Sequence, residues 1–413
     1  MLHKPELLVG IADMPCAIAA VKNGANAVYF GVKGYNMRDL GTNFQENELK
    51  ELMEYLHKSK VKGYLALNTI VFDEELKNAG KILLTAKKAK VDAIILSDMG
   101  VLALAKKYKH KIFLSTQASV ANSLALEQFA KLGAKRIILA RELNLNQIKK
   151  VKERAKKIGI EIECFVHGAM CISVSGRCFL SHEAFGRSAN RGECLQPCRR
   201  AFFLDGDSPN LEKKEVFLEG NTILSAKDLK TIQFFDKIIA SGVDSVKIEG
   251  RTKPSDYVAA VTKCYREAID SVFNKTFSQG KIEHWNTELE KVYNRGFSEG
   301  FFFSIPNGKD LARGQGSFQK QKRINIGIVN NYFVKIGVAE IKLYDKVGNI
   351  SIGDKIIIEG ETTFLEQTID SMQQNHKDVK KANAGEMAGI KVKERVRPND
   401  KIFILKEKLT KVC

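Results

Sequence analysis

Eight short apolar runs, rich in Val, Ile, Leu and aromatic residues, recur along the chain up to Glu249, and each is followed by a stretch with helical periodicity. They fall at 7–11, 27–32, 63–68, 93–96, 111–115, 136–140, 161–167 and 245–249. Continuous apolar runs of this length read as strands buried on both faces, the usual condition of a parallel sheet. Between them the apolar residues step by three and four. Leu49, Leu52, Met53 and Leu56 form one such stripe, and Leu229, Ile232, Phe235 and Ile238 another, so each helix has one face to lay against a sheet. Eight strands alternating with helices predict an α/β fold, a TIM-like (βα)8 barrel, whose closure leaves no free edge. An open doubly wound sheet is the alternative. It would call for a G-x-G-x-x-G fingerprint after the first strand, where the chain instead reads Gly10-Ile11-Ala12-Asp13.

The rhythm breaks once. From His167 to Ser245 is a step of 78 positions, which places an insertion after the seventh strand, at 169–225. Loops that follow barrel strands build the catalytic face, so the insertion is expected there. After a helical stretch at 254–273, residues 293–322 are rich in Gly, Phe and Ser with little periodicity. Short alternating segments follow at 324–329, 332–344, 355–359, 387–394 and 401–405, with Asn330-Asn331 and Gly348-Asn349 as turn signals. They predict a small C-terminal antiparallel β barrel. The chain thus divides into a catalytic domain, 1–318, and a β domain, 319–413.

Four of the eight cysteines crowd into the insertion, as Cys171, Cys178, Cys194 and Cys198. The N-terminus has no signal-peptide pattern, because Glu6 and Asp13 interrupt its apolar stretch, and no segment is apolar enough for a membrane span. A cytoplasmic location, where thiols stay reduced, is therefore expected, and metal ligation or redox chemistry is a better reading than a disulfide framework. Four thiolates satisfy a tetrahedral zinc ion or one cubane iron–sulfur cluster, and the spacing alone leaves both open. Cys164, in a strand, and Cys264, on a helix, read as core residues. A thiol nucleophile made by Cys171 or Cys178 with His167 or His182 is a further alternative. No H-E-x-x-H metalloprotease motif occurs among the seven histidines. Gly296-Phe297-Ser298-Glu299-Gly300 matches the short nucleophile-elbow pattern but lacks a strand before it and a helix after it.

The charge balance, 66 Lys and Arg against 48 Asp and Glu, gives +18 and suggests a polyanionic partner. Lys149, Lys150, Lys152, Arg154, Lys156 and Lys157 load one helix, and a second basic segment spans 377–413. Solvated faces are the ordinary explanation of such runs, and salt-dependent binding to tRNA or rRNA distinguishes the two.

The segment Glu163-Cys164-Phe165-Val166-His167-Gly168-Ala169-Met170-Cys171, continuing through Gly176-Arg177-Cys178-Phe179-Leu180-Ser181, resembles the signature of the collagenase-like peptidase family, the thirty-second among peptidases of unknown catalytic type. Gly186-Arg187-Ser188-Ala189-Asn190-Arg191-Gly192, Pro197-Cys198-Arg199, Ser225-Ala226-Lys227-Asp228-Leu229, Lys247-Ile248-Glu249-Gly250-Arg251 and Asn294-Arg295-Gly296-Phe297 resemble it too. Some members of that family are named proteases, and others are iron–sulfur proteins that hydroxylate RNA bases or ubiquinone precursors. The length and the appended β domain are similar to the branch that hydroxylates tRNA uridine with prephenate. The resemblance implies a 4Fe-4S cluster on Cys171 and Cys178 with further cysteines downstream. Where many relatives place a ligand after the Ser-Ala-Lys-Asp-Leu-like stretch, this chain has Lys230, so Cys198 is taken as the fourth ligand beside Cys194.

The expectation is then a cytoplasmic enzyme that forms 5-hydroxyuridine in tRNA, with prephenate or another small anionic metabolite as oxygen donor. A collagenase-like peptidase is the alternative, and an RNA-binding protein with structural zinc a third. Arg187, Arg191 and Arg199, with Arg200 nearby, suit carboxylate or phosphate through bidentate hydrogen bonds. Asn68, Gln117, Arg141, His167, Lys247 and Glu249 close predicted strands on the same face. His167 and Glu249 are the candidates for proton transfer. Gln117, Asn190, Lys247 and Arg251 join the three arginines as substrate-binding candidates, and Lys149 to Lys157 as a contact for the RNA backbone.

Overall fold

The computed structural model describes residues 3–201, 222, 224–312, 314, 316–347 and 349–408. Gly348 of the second expected turn, Cys413, and positions 202–221 and 223 of the expected insertion lie outside the described residues.

All eight apolar runs become strands. They are β1 (Glu6–Gly10), β2 (Ala27–Gly31), β3 (Lys62–Leu67), β4 (Ala93–Leu96), β5 (Ile112–Leu114), β6 (Ala134–Ile138) and β7 (Glu161–Gly168), then, after a short β8 (Asp228–Lys230), β9 (Ser245–Ile248). Each of β1 to β6 pairs in parallel with the next, and β9 pairs in parallel with both β7 and β1, so the ladder returns to its start and the barrel closes. β8 and the two-residue β10 (Phe297–Ser298) lie outside this ring, β8 running antiparallel to the end of β7.

Helices α1 (Met14–Lys22), α2 (Leu49–Lys58), α3 (Leu76–Lys88), α4 (Met99–Lys107), α5 (Ser123–Lys131) and α6 (Leu145–Lys157) follow the first six strands. Their starts are written in the sequence. The side chains of Asp13, Asp98, Asn122 and Asn144 each accept a hydrogen bond from a first-turn backbone N–H, which satisfies a donor the helix itself leaves free. α7 (Leu180–Phe185) lies in the cysteine-bearing insertion, and α8 (Phe235–Ala240), α9 (Ser255–Phe273) and α10 (Gln279–Lys291) complete the set. The α2 stripe is buried as expected. The stripe from Leu229 to Ile238 is divided, because Leu229 is drawn into β8 by pairing with Gly168, and α8 starts only at Phe235.

Alternation along each strand sorts the side chains. Leu8, Tyr29, Tyr64, Ala66, Ile95, Phe113 and Ile138 fill the barrel interior, while the other face packs under the helices in the main core. The interior also holds charge. Arg136 lies 2.6 Å from Glu6, 2.7 Å from Glu161 and 3.1 Å from Glu163, and Lys247 lies 3.0 Å from Glu163. Pairing of this kind is needed wherever charge is buried, and adds little net stability.

The C-terminal part is an eight-stranded antiparallel sheet that begins at Gln321–Phe333 and ends at Lys401–Glu407, with a two-stranded sheet, Ile350–Ser351 and Lys381–Ala382, contributing to the same core. Asn330-Asn331 is not a turn. The first strand continues through it as a bulge against Val338–Leu343, and the reversal comes at 334–337. An unpaired residue kinks a strand without ending its ladder, and on sequence alone it is indistinguishable from a turn. Arg323 ties this sheet to the barrel, 3.3 Å from Asp256 on α9 and 2.9 Å from Glu359. No helix among the described residues is long and apolar enough to cross a membrane.

Candidate active site

At the C-terminal end of the barrel strands a cavity of about 500 Å³ opens. Its floor is the top of the barrel, with Tyr29, Phe165 and Lys247, and its wall is the insertion. Cys171, Cys178, Cys194 and Cys198 all line it, and all four are free thiols. Burial pushes the Cys194 and Cys198 thiols up, and the neighbouring cysteines push the same way, while Arg38 and Arg199 respectively oppose it. Among the described residues no group of three or more His, Cys, Asp or Glu side chains is placed to hold a metal ion. Four soft thiolate donors around one chamber nevertheless match the chemistry of a tetrahedral zinc ion or of an iron–sulfur cluster. Lys230 is elsewhere. Its ammonium sits 4.3 Å from the Phe297 ring, outside the cavity lining, and burial lowers its pKa.

The insertion is fastened by specific contacts. Arg191 makes a two-pronged pair with Glu75, donates to the Ile70 carbonyl at 2.8 Å and lies 4.5 Å from the Phe72 ring centroid, so it clamps the insertion to the loop after β3. Gly192, at φ 89°, meets the loop after β2 so closely that a Cβ would sit 2.0 Å from the Asn36 carbonyl oxygen. Asn190 accepts from the Cys178 backbone N–H at 3.3 Å. Arg199 donates to the carbonyls of Met170, at 2.6 Å, and Ala226, at 2.9 Å.

Among the described residues five cationic side chains line the cavity, Arg38, Arg141, Arg199, Lys247 and Arg251, against one carboxylate, Glu249. Burial raises the Glu249 carboxyl, but Arg38, at 3.1 Å, together with Arg251 and Arg141, outweighs it and holds the group below its ordinary value. Burial pushes Arg251 down to about 10, and its guanidinium donates to the side-chain oxygens of Asn36, at 2.6 Å, and Asn43, at 2.8 Å. Gly31 makes that possible, since a Cβ there would lie 2.3 Å from the Arg251 Nη2. Gln117 accepts from Asn68 at 3.0 Å and also pairs with Ser115, which orients the amide at the rim.

The structure therefore brings Gln117, Arg199, Lys247, Glu249 and Arg251 together with the four cysteines. It does not bring in Arg187, Asn190, Arg191 or His167. Arg187 is exposed and pairs with Glu193 at 3.0 Å, and Arg191 is committed to its clamp. His167 is turned away from the cavity. Against β9 the register of β7 shifts between Phe165 and His167, so Phe165 pairs with Lys247 on the inner face while His167 pairs with Ile248 and points out of the barrel. There it is buried among Tyr257, Tyr265 and Phe297, and burial, with Lys230 and Lys253, pushes its pKa down to about 3. It is out of place for proton transfer and for pairing with Cys171 or Cys178. Exposed His182 is likewise absent from the lining, and β10 leads from Gly296 into turns rather than a helix, so no nucleophile elbow forms. Sequence reasoning missed Arg38 and Tyr29. Arg38 had a signal in its position, since Tyr35-Asn36-Met37-Arg38-Asp39 is a polar loop directly after a barrel strand.

Such a fold and such a chamber define a (βα)8-barrel protein with a thiol-lined, cationic pocket at the catalytic end. Residues 12–311 match the model of peptidase family U32, and the chain belongs to that family. It is 44% identical to an uncharacterized protease of Methanocaldococcus jannaschii, over 98% of this chain and 100% of that protein. It is 36% identical to a collagenase of Porphyromonas gingivalis, over 96% and 97%. With the tRNA hydroxylation protein P1 of Bacillus subtilis it shares 35% identity, over 80% and 78%.

Proposed function

We propose that this protein is an RNA hydroxylase that forms 5-hydroxyuridine in tRNA, with a small carboxylate such as prephenate as oxygen donor. The observation that carries this reading is the chamber itself, in which four free thiols and an excess of cationic side chains face the same 500 Å³. Cys171, Cys178, Cys194 and Cys198 would hold a 4Fe-4S cluster, which supplies an electron-transfer or Lewis-acid centre at the wall of the pocket. Arg38, Arg141 and Arg251 suit a carboxylate, since three guanidinium groups on this cavity share the single carboxylate of Glu249 among its described lining. Glu249, held ionised by those guanidinium groups, is a proton acceptor at the same site.

The rim supports an RNA substrate. Leu40, Ile70, Phe72, Met99, Leu124, Ile172, Val174, Phe179 and Phe185 are all exposed, and all lie in the insertion or in loops and helix starts that follow barrel strands, on the cavity side. Arg191 lies 4.5 Å from the Phe72 ring and Arg200 4.6 Å from that of Phe185. Aromatic faces beside guanidinium groups suit unpaired bases, each stack being worth about 1–3 kcal/mol.

The test is mass spectrometry of tRNA nucleosides from a deletion strain, complemented with the wild-type gene or with Cys171→Ala. Hydroxyuridine derivatives should vanish on deletion, return with wild type and stay absent with the variant. Unchanged nucleosides on deletion would refute the substrate. The anaerobically purified protein should carry about four iron and four acid-labile sulfide per chain, and stoichiometric zinc in their place would refute the cluster.

A further inference from the structure

We propose that Lys247 condenses with the carbonyl group of a 2-oxo acid bound in the barrel cavity and holds it as a covalent iminium. The inference uses the cavity as the reaction chamber, as the hydroxylase reading does, but it requires neither RNA nor hydroxylation.

Lys247 lies on β9, the last strand to close the barrel, and its side chain is buried and faces the cavity. Its Nζ is 4.1 Å from the Tyr29 ring centroid and 5.4 Å from that of Phe165, so aromatic faces flank the nitrogen and favour a cation there. Glu163 Oε1 is 3.0 Å away, close enough for proton exchange but not aligned as a hydrogen bond. The buried hydroxyl of Tyr29, also on the cavity lining, has no hydrogen-bond partner. An unsatisfied buried donor of this kind costs about 1–3 kcal/mol and invites a ligand atom. Burial lowers the lysine pKa against the pull of Glu163, and it raises that of Tyr29 well above its ordinary value. The amine is thus easier to free than a surface lysine, and the phenol keeps its proton. Arg38, Arg141 and Arg251 on the same cavity give the acid's carboxylate its counter-charge.

The step balances without any oxidant. Glu163 takes one proton from the ammonium, and the freed nitrogen lone pair forms the C–N bond as the carbonyl π electrons move to oxygen. The Tyr29 hydroxyl relays a second proton from nitrogen to that oxygen. Glu163 then returns its proton, the C–O bond breaks, and water leaves. The ammonium charge reappears on the iminium, so the pairing with Glu163 survives the reaction.

The holoprotein, incubated with pyruvate as the simplest 2-oxo acid and reduced with cyanoborohydride, should gain one reduced adduct per chain, mapped by peptide mass spectrometry to Lys247. Lys247→Arg, which keeps the charge, should gain none. Tyr29→Phe, which keeps the ring, should slow trapping at Lys247 by about 10² or more. Absence of a Lys247 adduct in the wild type would overturn the proposal, as would labelling of Lys247→Arg to the same extent. Trapping by a protein that leaves tRNA unmodified would refute the hydroxylase reading and keep this one, whereas tRNA hydroxylation without trapping would do the reverse.

Discussion

His167 and Phe165 are two positions apart on one strand and yet face opposite sides of it. Strict alternation puts both on the inner face with Glu163, and that is how the sequence reads. One register shift against β9 reverses the outcome for His167 alone. Bulges leave no reliable mark in residue type, so the failure lay in the backbone rather than in the chemistry assigned to histidine. Glu249, Lys247 and Arg251 were legible because each stands at or just beyond the end of an unbulged strand. The position of His167 has a measurable result. In the folded protein it stays neutral down to about 3, whereas the free imidazole titrates near 6.5. Between those values the unfolded chain binds a proton that the folded chain refuses, so stability falls as the pH drops through the window. From pH 7.5 to pH 5 the loss attributable to His167 is about 2 kcal/mol. His167→Phe should remove that part of the slope in urea denaturation. It should cost only about 1 kcal/mol at pH 7.5, because Tyr265, its partner at 3.3 Å, also bonds the Val166 carbonyl and the Thr231 N–H. Loss of tRNA hydroxylation in a folded His167→Phe protein would restore a catalytic role to the imidazole.

Among the elements, the barrel strands were the most legible, since a strand buried on both faces must be apolar throughout and little else produces such short runs. The insertion was legible as a loop but not in its contacts. Its arginines were read as ligands for an anion, and Arg191 instead spends its guanidinium on Glu75 and the Ile70 carbonyl. Nothing in a single sequence announces a partner 116 positions away. If the clamp holds the insertion, Arg191→Ala should expose 169–201 to limited proteolysis, while leaving pyruvate trapping at Lys247 within about threefold. The pair is about a quarter exposed on each side, so its own contribution is about 1 kcal/mol, set by bidentate geometry and discounted for solvent screening. A double-mutant cycle with Glu75→Ala measures it. Additive losses would show that the two side chains are not coupled, and the insertion would then owe its position to other contacts such as that of Gly192.

For the whole molecule, the excess of 18 positive charges pointed to a polyanion without saying where it would lie. The densest basic run in the sequence is on α6, and the fold argues against it as the contact that serves the active site. α6 starts just after the C-terminal end of β6 and descends to Lys157, shortly before Glu161 begins β7, so its basic end lies at the opposite end of the barrel from the cavity. Two of its cations are also committed, Lys152 to Asp244 and Arg154 to Glu127. A nucleotide entering the cavity would meet instead the exposed Arg177, which donates to the Gln117 carbonyl at the rim at 2.6 Å, with Arg200 and the exposed aromatic residues of the insertion. Charge reversal separates the two surfaces. Arg177→Glu with Arg200→Glu should weaken tRNA binding about tenfold or more and flatten the dependence of log affinity on log salt by about one to two units, as expected for one or two lost phosphate contacts. Lys149→Glu with Lys156→Glu should change affinity less than about threefold, since charges farther away than a Debye length of about 8 Å are largely screened at physiological salt. If the α6 pair proves the more damaging, tRNA must wrap around the side of the barrel, and the rim of the cavity is not where its backbone is held.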